Sequence, residues 1–452
     1  MKTPPQTAAL RRRAEDALAA RRERRAARPR RLAGVRRYLA VIGPGLIVAN
    51  AGNDAGGIFT YTNTGSKYGL HLLWTFIPIL LALVVTQEMV ARLGCVTGKG
   101  LMDLIRERFG VRWTLFASVV VIVANGGTVL AEFAGVGGAL GLLGVPLPLA
   151  VIGAAVMLGI LVLRANRRMV ERVFLAMGLT FVSYIVTAFT VHPQWGEVAR
   201  ALIVPGFSHP SVTSGATAYT TDIITLIGTS ITPYMQLFLQ SSIVDKGMSE
   251  KELNYARADV VSGSLFAMMV AGFIVVTTAS TLFPHGCGGS GCAGHDLDSA
   301  AQAASALRPL VGEHDTQLFA VGLLGASLLA AAVLPLSTAF VVAEAFGAER
   351  SVQSRFEEAP LFFALFVLLL SVGAVTVAVL GPSSIAAVAI GSQTLDGVLL
   401  PVLLAFILIL ANDSRLLGPR RNGPVNNAVA GALTVVLTTL TGYLVLSTLS
   451  NL

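Results

Sequence analysis

Apolar runs of roughly 20 residues recur along this chain at near-regular intervals, and a run of that length is what an α-helix needs to cross the hydrocarbon core of a bilayer. No other feature limits the fold as strongly. Eleven helices are expected, at 38–62, 69–92, 113–140, 147–164, 170–191, 217–245, 258–284, 316–346, 360–380, 384–411 and 426–449. With 54% hydrophobic and 13% charged residues among 452, the chain is too apolar for a soluble domain of its length. It reads as an all-α polytopic membrane protein.

Two of the runs stop suiting a helix halfway. In GPGLIVANAGNDAGGIFTYTNT (43–64), Asn53 and Asp54 lie among Gly52, Ala55, Gly56 and Gly57. A carboxylate at that depth costs ~2.5 kcal/mol or more on insertion scales and is ordinarily functional. The glycines ease departure from helical geometry, which frees backbone carbonyls beside the charge. That is a cation site in outline. The sixth run, GTSITPYMQ at 228–236, places Gly228, Thr229, Ser230, Thr232 and Pro233 at mid-depth, and Pro233 removes a helical bond one turn earlier, near Thr229. Each interrupted run opens a set of five, which is the mark of an inverted repeat with its substrate site at the midplane. A proline kink without ligand is the weaker alternative. The expected organisation is an arginine-rich arm (1–37), a first repeat (38–191), an extracellular connection (192–216), a second repeat (217–411), and a loop with the eleventh helix (412–452).

Charge supplies orientation. The net +8 does not point to nucleic acid, because the basic residues flank apolar runs. The arm carries twelve arginines against Glu15, Asp16 and Glu23, and reads as a solvated cytoplasmic segment rather than a helix on anionic lipid. No cleavable signal is expected, since the following run is long and lacks a small-residue cleavage site. With a cytoplasmic N-terminus, the inside segments collect clusters such as Arg106, Arg108 and Arg112, or Arg164, Arg167, Arg168 and Arg172, while Lys67, Arg200 and Arg308 remain outside. The C-terminus is then extracytoplasmic, and the plasma (inner) membrane is the expected location. Three cysteines make no disulfide framework. In PHGCGGSGCAGH, a Cys287–Cys292 pair needs an oxidising compartment, and zinc held with His285 and His295 is disfavoured against a flexible Gly-rich loop.

The segments GPGLIVANAGNDAGG, QEMVARLGCVTGKGLMDLIRERFG, TVLAEFAGVGGALGLLGVPL and IGTSITPYMQLFLQSS resemble, in order and spacing, the Nramp family of divalent-metal transporters. The likeness runs from about Tyr38 to the last span. It implies the leucine-transporter-type fold: two inverted five-helix repeats, with helices 1 and 6 broken, plus an eleventh helix. It also implies a transporter rather than an enzyme, with divalent metal ions and the lipid bilayer as partners, the ion as substrate and no cofactor.

The departures from the family pattern carry the specificity. Where the family has Asp-Pro-Gly-Asn, this chain has Asp54, Ala55, Gly56 and Gly57, so the carboxylate stays and a second side-chain ligand is gone. Where it has Met-Pro-His, this chain has Thr232, Pro233 and Tyr234, so a hydroxyl replaces the thioether. Met235 points about 100° away and is a poor substitute. The expected metal set is Asp54, Ala51, Gly57, Thr229, Thr232 and Tyr234, with Gln236, Glu132, Gln393, Asp396 and Gln87 lining the path or supporting it. Carboxylate, hydroxyl and carbonyl oxygens without sulfur or imidazole suit Mg2+ and secondarily Mn2+, and the space left at Gly57 suits an ion that keeps part of its water. The pattern resembles the Nramp-related magnesium transporters. The aspartate that the family carries in helix 3 is Val129 here, and its helix 6 histidines correspond to Tyr234 and Gln240, neither of which titrates near neutral pH. Uptake is therefore expected to be uncoupled from protons. Proton-coupled Mn2+ or Fe2+ transport, with Glu132 as a relay, is the alternative. An Asp54–Asp396 protease dyad is remote, because Asp396 lacks a Gly-x-Gly-Asp context. Glu88 is expected to line the inner vestibule or to pair with Arg92 one turn on, and Asp222 to be an interfacial, solvated carboxylate.

Overall fold

The computed structural model describes residues 48, 52–164, 182–205, 215–283, 303, 315–348, 358–381 and 385–450. The arginine arm, Ala51 and the 284–302 segment with its cysteines lie outside these residues. Among the described residues all regular structure is helical: α1 (Ala55–Tyr68), α2 (Phe76–Thr97), α3 (Leu101–Phe109), α4 (Val111–Leu142), α5 (Leu147–Arg164), α6 (Val182–Thr190), α7 (Trp195–Ile203), α8 (Gly215–Ser230), α9 (Pro233–Asp245), α10 (Leu253–Thr281), α11 (Asp315–Phe346), α12 (Pro360–Leu380), α13 (Ile385–Asn412) and α14 (Pro424–Ser450). Seven helices in this set are long and apolar enough to cross a membrane. Each of the eleven expected spans contains helix, the first and fifth being described only over their later parts.

Helices pack on their counterparts five spans along the chain: α1 against α8, α2 against α10, α4 against α11, and α5 against α12. That is the pairing an inverted repeat produces. The central helix is α4, which also meets α13, α12 and α1. Its buried stripe includes Ala124, Asn125, Thr128, Ala131 and Glu132, while Trp113, Phe116, Val119 and Val123 are exposed, as lipid-facing positions are.

Several boundaries differ from the sequence reading for identifiable reasons. The first span continues to Tyr68 because its polar tail is buried and paired: Lys67 Nζ lies 2.9 Å from Asp222 Oδ2, and the Tyr68 hydroxyl donates to the same oxygen at 2.5 Å. Asp222 is thus a bolt between α1 and α8, with part of its carboxylate still exposed. The second span runs past Arg92 to Thr97, and Gly98 closes it at φ 65°. Arg92 is only 3% exposed; it meets Glu88 at 3.1 Å, donates to the Arg420 carbonyl at 2.6 Å, and bonds Asn422. Glu88 also receives Arg257 of α10 at 2.8 Å. Two amphipathic helices escape a search for long apolar runs. One is α3, which buries Leu101, Met102, Leu104 and Ile105 and exposes Arg106, Glu107 and Arg108. The other, α7, lies inside the expected 192–216 connection.

Candidate metal site

A helix that begins in the interior brings amide hydrogens without partners, and these need acceptors. At the start of α1, Asp54 is the N-cap: its backbone is extended (φ −70°, ψ −174°) and its Oδ1 accepts from the Gly57 N–H at 2.6 Å. Glu132 of α4 supplies the next acceptor, its Oε2 taking the Ala55 N–H at 3.2 Å. The positive end of α1 therefore faces two carboxylates. Both are fully buried, and each retains one oxygen without a hydrogen-bond partner, Asp54 Oδ2 and Glu132 Oε1. Asn53 secures the bend by donating to the Ala267 carbonyl of α10 at 3.1 Å.

The second break lies between Ser230 and Pro233. Thr232 is extended (φ −71°, ψ 148°), and Pro233 takes the first position of α9, where a missing N–H costs nothing. The last carbonyls of α8 end here as well, Ile227 being bonded to Ile231 N at 2.9 Å. Thr232 Oγ1 has no partner, nor have Oε1 and Nε2 of Gln236 one turn on, and both side chains are fully buried. Tyr234 is buried beside Asp54. The Tyr61 hydroxyl and Ser230 Oγ, 3.1 Å apart, join the two broken helices.

Gln393 of α13 spans both breaks. Its Oε1 accepts from Thr229 Oγ1 at 2.8 Å, and its amide presses on Gly56, where a Cβ would lie 2.0 Å from Nε2. Gly228 allows the same approach: a Cβ there would lie 2.3 Å from the Gln393 carbonyl oxygen. Gly57 permits the close approach at the cap, since a Cβ would come within 3.0 Å of the Gly52 carbonyl oxygen and 3.3 Å of Asp54 Oδ1. Asp396, one turn along α13, accepts from Thr128 Oγ1 at 2.9 Å and keeps Oδ1 unpaired.

Of the expected residues, Asp54, Gly57, Thr229, Thr232, Tyr234, Glu132 and Gln393 gather where the breaks meet α4 and α13, with Gln236 one turn along α9 and Asp396 beside Thr128. Ala51 lies outside the described residues. Gln87 belongs to another cluster, the seam between α2 and α10, where its Oε1 accepts from Ser264 at 3.2 Å. Sequence reasoning missed Thr128 and Tyr61, and read Asn53 only as the polar neighbour of Asp54 at the break; polarity inside an apolar run is the one signal that Tyr61 gives. The available oxygen donors are carboxylate, hydroxyl and amide, a hard set suited to Mg2+ or Mn2+. Among the described residues no three His, Cys, Asp or Glu side chains converge on one metal position.

Residues 45–447 match the sequence model of the family described as natural resistance-associated macrophage protein-like, Nramp. The divalent metal cation transporter MntH of Ralstonia nicotianae is 30% identical over 434 residues, with 92% of each chain covered. Its namesake from Klebsiella pneumoniae (strain ATCC 700721 / MGH 78578) is 28% identical over 424 residues, covering 91% of this chain and 95% of its own. Among solved structures, the manganese transporter of Eremococcus coleocola, in complex with an aromatic bis-isothiourea compound, superposes with a TM-score of 0.69 at 20% identity, over 89% of this chain and 85% of its own. Mhp1, a nucleobase–cation symporter in a closed conformation, superposes with a TM-score of 0.55 at 13% identity, over 89% of both chains. These likenesses bear out the leucine-transporter-type fold.

Proposed function

The chain belongs to the Nramp family, and from that premise we propose that it imports divalent cations, Mg2+ and also Mn2+, by alternating access and without proton coupling. The observation that carries this reading is the donor set at the crossing of the two broken helices. Asp54 Oδ2 and Thr232 Oγ1 are buried and unpaired, and the hydroxyl of Thr232 occupies the position where a thioether would favour softer metals. Gly57 adds no side chain beside the Asp54 carboxylate, where the family pattern has a second side-chain ligand, and a ligand set that leaves water on the ion fits a metal that dehydrates reluctantly.

Absence of coupling is supported by Val129 and Gln240. Val129 is an apolar, buried position on α4, and Gln240 Nε2 is engaged with the Lys99 carbonyl at 2.9 Å. The membrane potential is a sufficient drive: at ~2.3 kcal/mol per charge per 100 mV, a divalent cation crossing the whole field gains about 4.6 kcal/mol. The arginine-rich ends of the spans favour a cytoplasmic N-terminus in the plasma membrane. One observation favours the second reading, proton-coupled Mn2+ transport: Glu132 is fully buried beside the cap of α1 with a free oxygen. Asp54→Ala tests the site itself. Its uptake of Mg2+ into proteoliposomes falls to background if the site is right, and uptake equal to the unmodified protein refutes it.

A further inference from the structure

On the buried face of α4, Asn125, Thr128 and Glu132 follow one another at intervals of three and four residues, so they form a single stripe. Glu132 stands at the upper end of this stripe, against the first amide of α1. One turn along, ~6 Å by helix rise, Thr128 holds Asp396 at 2.9 Å. On the next turn, Asn125 donates to Thr338 of α11 at 2.8 Å and leaves its Oδ1 unpaired. Asp396, Glu132 and Asn125 are all 0% exposed, and each keeps one acceptor oxygen with no hydrogen-bond partner: Oδ1, Oε1 and Oδ1. Among the described residues no lysine or arginine pairs with either carboxylate. Buried acceptor oxygens without partners, in a row, are what a cation would satisfy.

The geometry points to a second divalent-cation station at Asp396, between α4 and α13 and one helical turn from Glu132. The carboxylates do not converge on one point, so they act in succession: an ion released from Asp54 is taken up by Glu132 and Asp396 before it leaves. Two divalent ions this close repel, and the stations are occupied alternately. The inference rests on the reading of Asp54 as the first site.

Mn2+ binding to the purified full-length protein, followed by electron paramagnetic resonance, is combined with uptake at saturating Mn2+. Asp54→Asn is expected to lose the tighter binding and retain a weaker one, which disappears when Asp396→Asn is added. Asp396→Asn alone keeps the tighter binding but slows saturated uptake about tenfold, the scale seen when groups supporting a metal are removed. Asparagine still accepts from Thr128, so this variant loses charge and not the packing bond. Thr128→Val makes the opposite change, and a smaller effect on uptake is expected. Three results overturn the station: wild-type saturated uptake in Asp396→Asn, no residual binding in Asp54→Asn, or an equal loss in Thr128→Val, which would mark Asp396 as structural. The reading of Asp54 fails separately, if Asp54→Asn binds Mn2+ like the unmodified protein.

Discussion

Replacing Thr232 by methionine would put a polarisable thioether where a buried hydroxyl has no protein partner. Cd2+ should then compete better with Mg2+ for uptake, by about tenfold, equivalent to ~1.4 kcal/mol; unchanged competition would detach Thr232 from the ion. Glycines at the breaks divide by what surrounds them. Gly228 faces backbone on both sides, with a Cβ 2.3 Å from the Gln393 oxygen and 2.4 Å from the Gly397 nitrogen. Gly228→Ala should therefore lose ~1–3 kcal/mol of stability by overpacking, seen as a lower Tm in detergent. The atoms nearest Gly56 all belong to the Gln393 side chain, from Cγ to Nε2. Gly56→Ala can fold by swinging that amide away from Thr229, so it should keep most of its thermal stability while uptake falls. Asp54 was legible in the sequence because a carboxylate among glycines inside an apolar run has few structural uses. Gln393 was legible only as a polar residue on a late span, since its contact with Gly56 and Thr229 joins residues far apart in the chain. Thr128 was not legible at all, because a threonine in a membrane helix usually bonds its own backbone, and this one does so as well at 3.1 Å.

Among elements, long spans were readable from hydrophobic length, and their ends were not. Polar residues that pair with distant parts of the chain extend a span beyond its apolar run, as Lys67 and Tyr68 do on Asp222 and Arg92 does on Asn422 and the Arg420 carbonyl. The short helix α3 shows how such pairing positions a broken element. Glu344 of α11 accepts from Met102 N–H at 3.1 Å and from the Ser241 hydroxyl of α9 at 2.6 Å, and a Cβ at Gly100 would strike its carboxylate. A carboxylate at a helix N-terminus thus ties α3, α9 and α11 into one joint. Glu344→Ala strands two buried donors and should cost ~1–3 kcal/mol each. The expected result is a clear drop in Tm, with proteolysis appearing first near Lys99; unaltered stability would show that the joint is held by packing alone.

For the molecule as a whole, counterpart helices pack in pairs around α4, and both broken helices present their interruptions to α4 and α13. The repeat was visible in the sequence because the two interruptions occupy corresponding places, whereas the packing that turns two breaks into one site depends on glycine contacts between spans. Ion choice and energy coupling are whole-molecule properties, since they require a complete transport cycle under a potential. An uncoupled divalent transporter should accelerate with an inside-negative potential and leave the internal pH unchanged. The most direct measurement is uptake of Mg2+, Mn2+ and Ca2+ into proteoliposomes in parallel, with a pH dye inside. Mg2+ and Mn2+ are expected to enter and to compete with each other, without internal acidification. Mn2+ uptake that Mg2+ fails to inhibit, or acidification that accompanies the metal, would contradict that expectation.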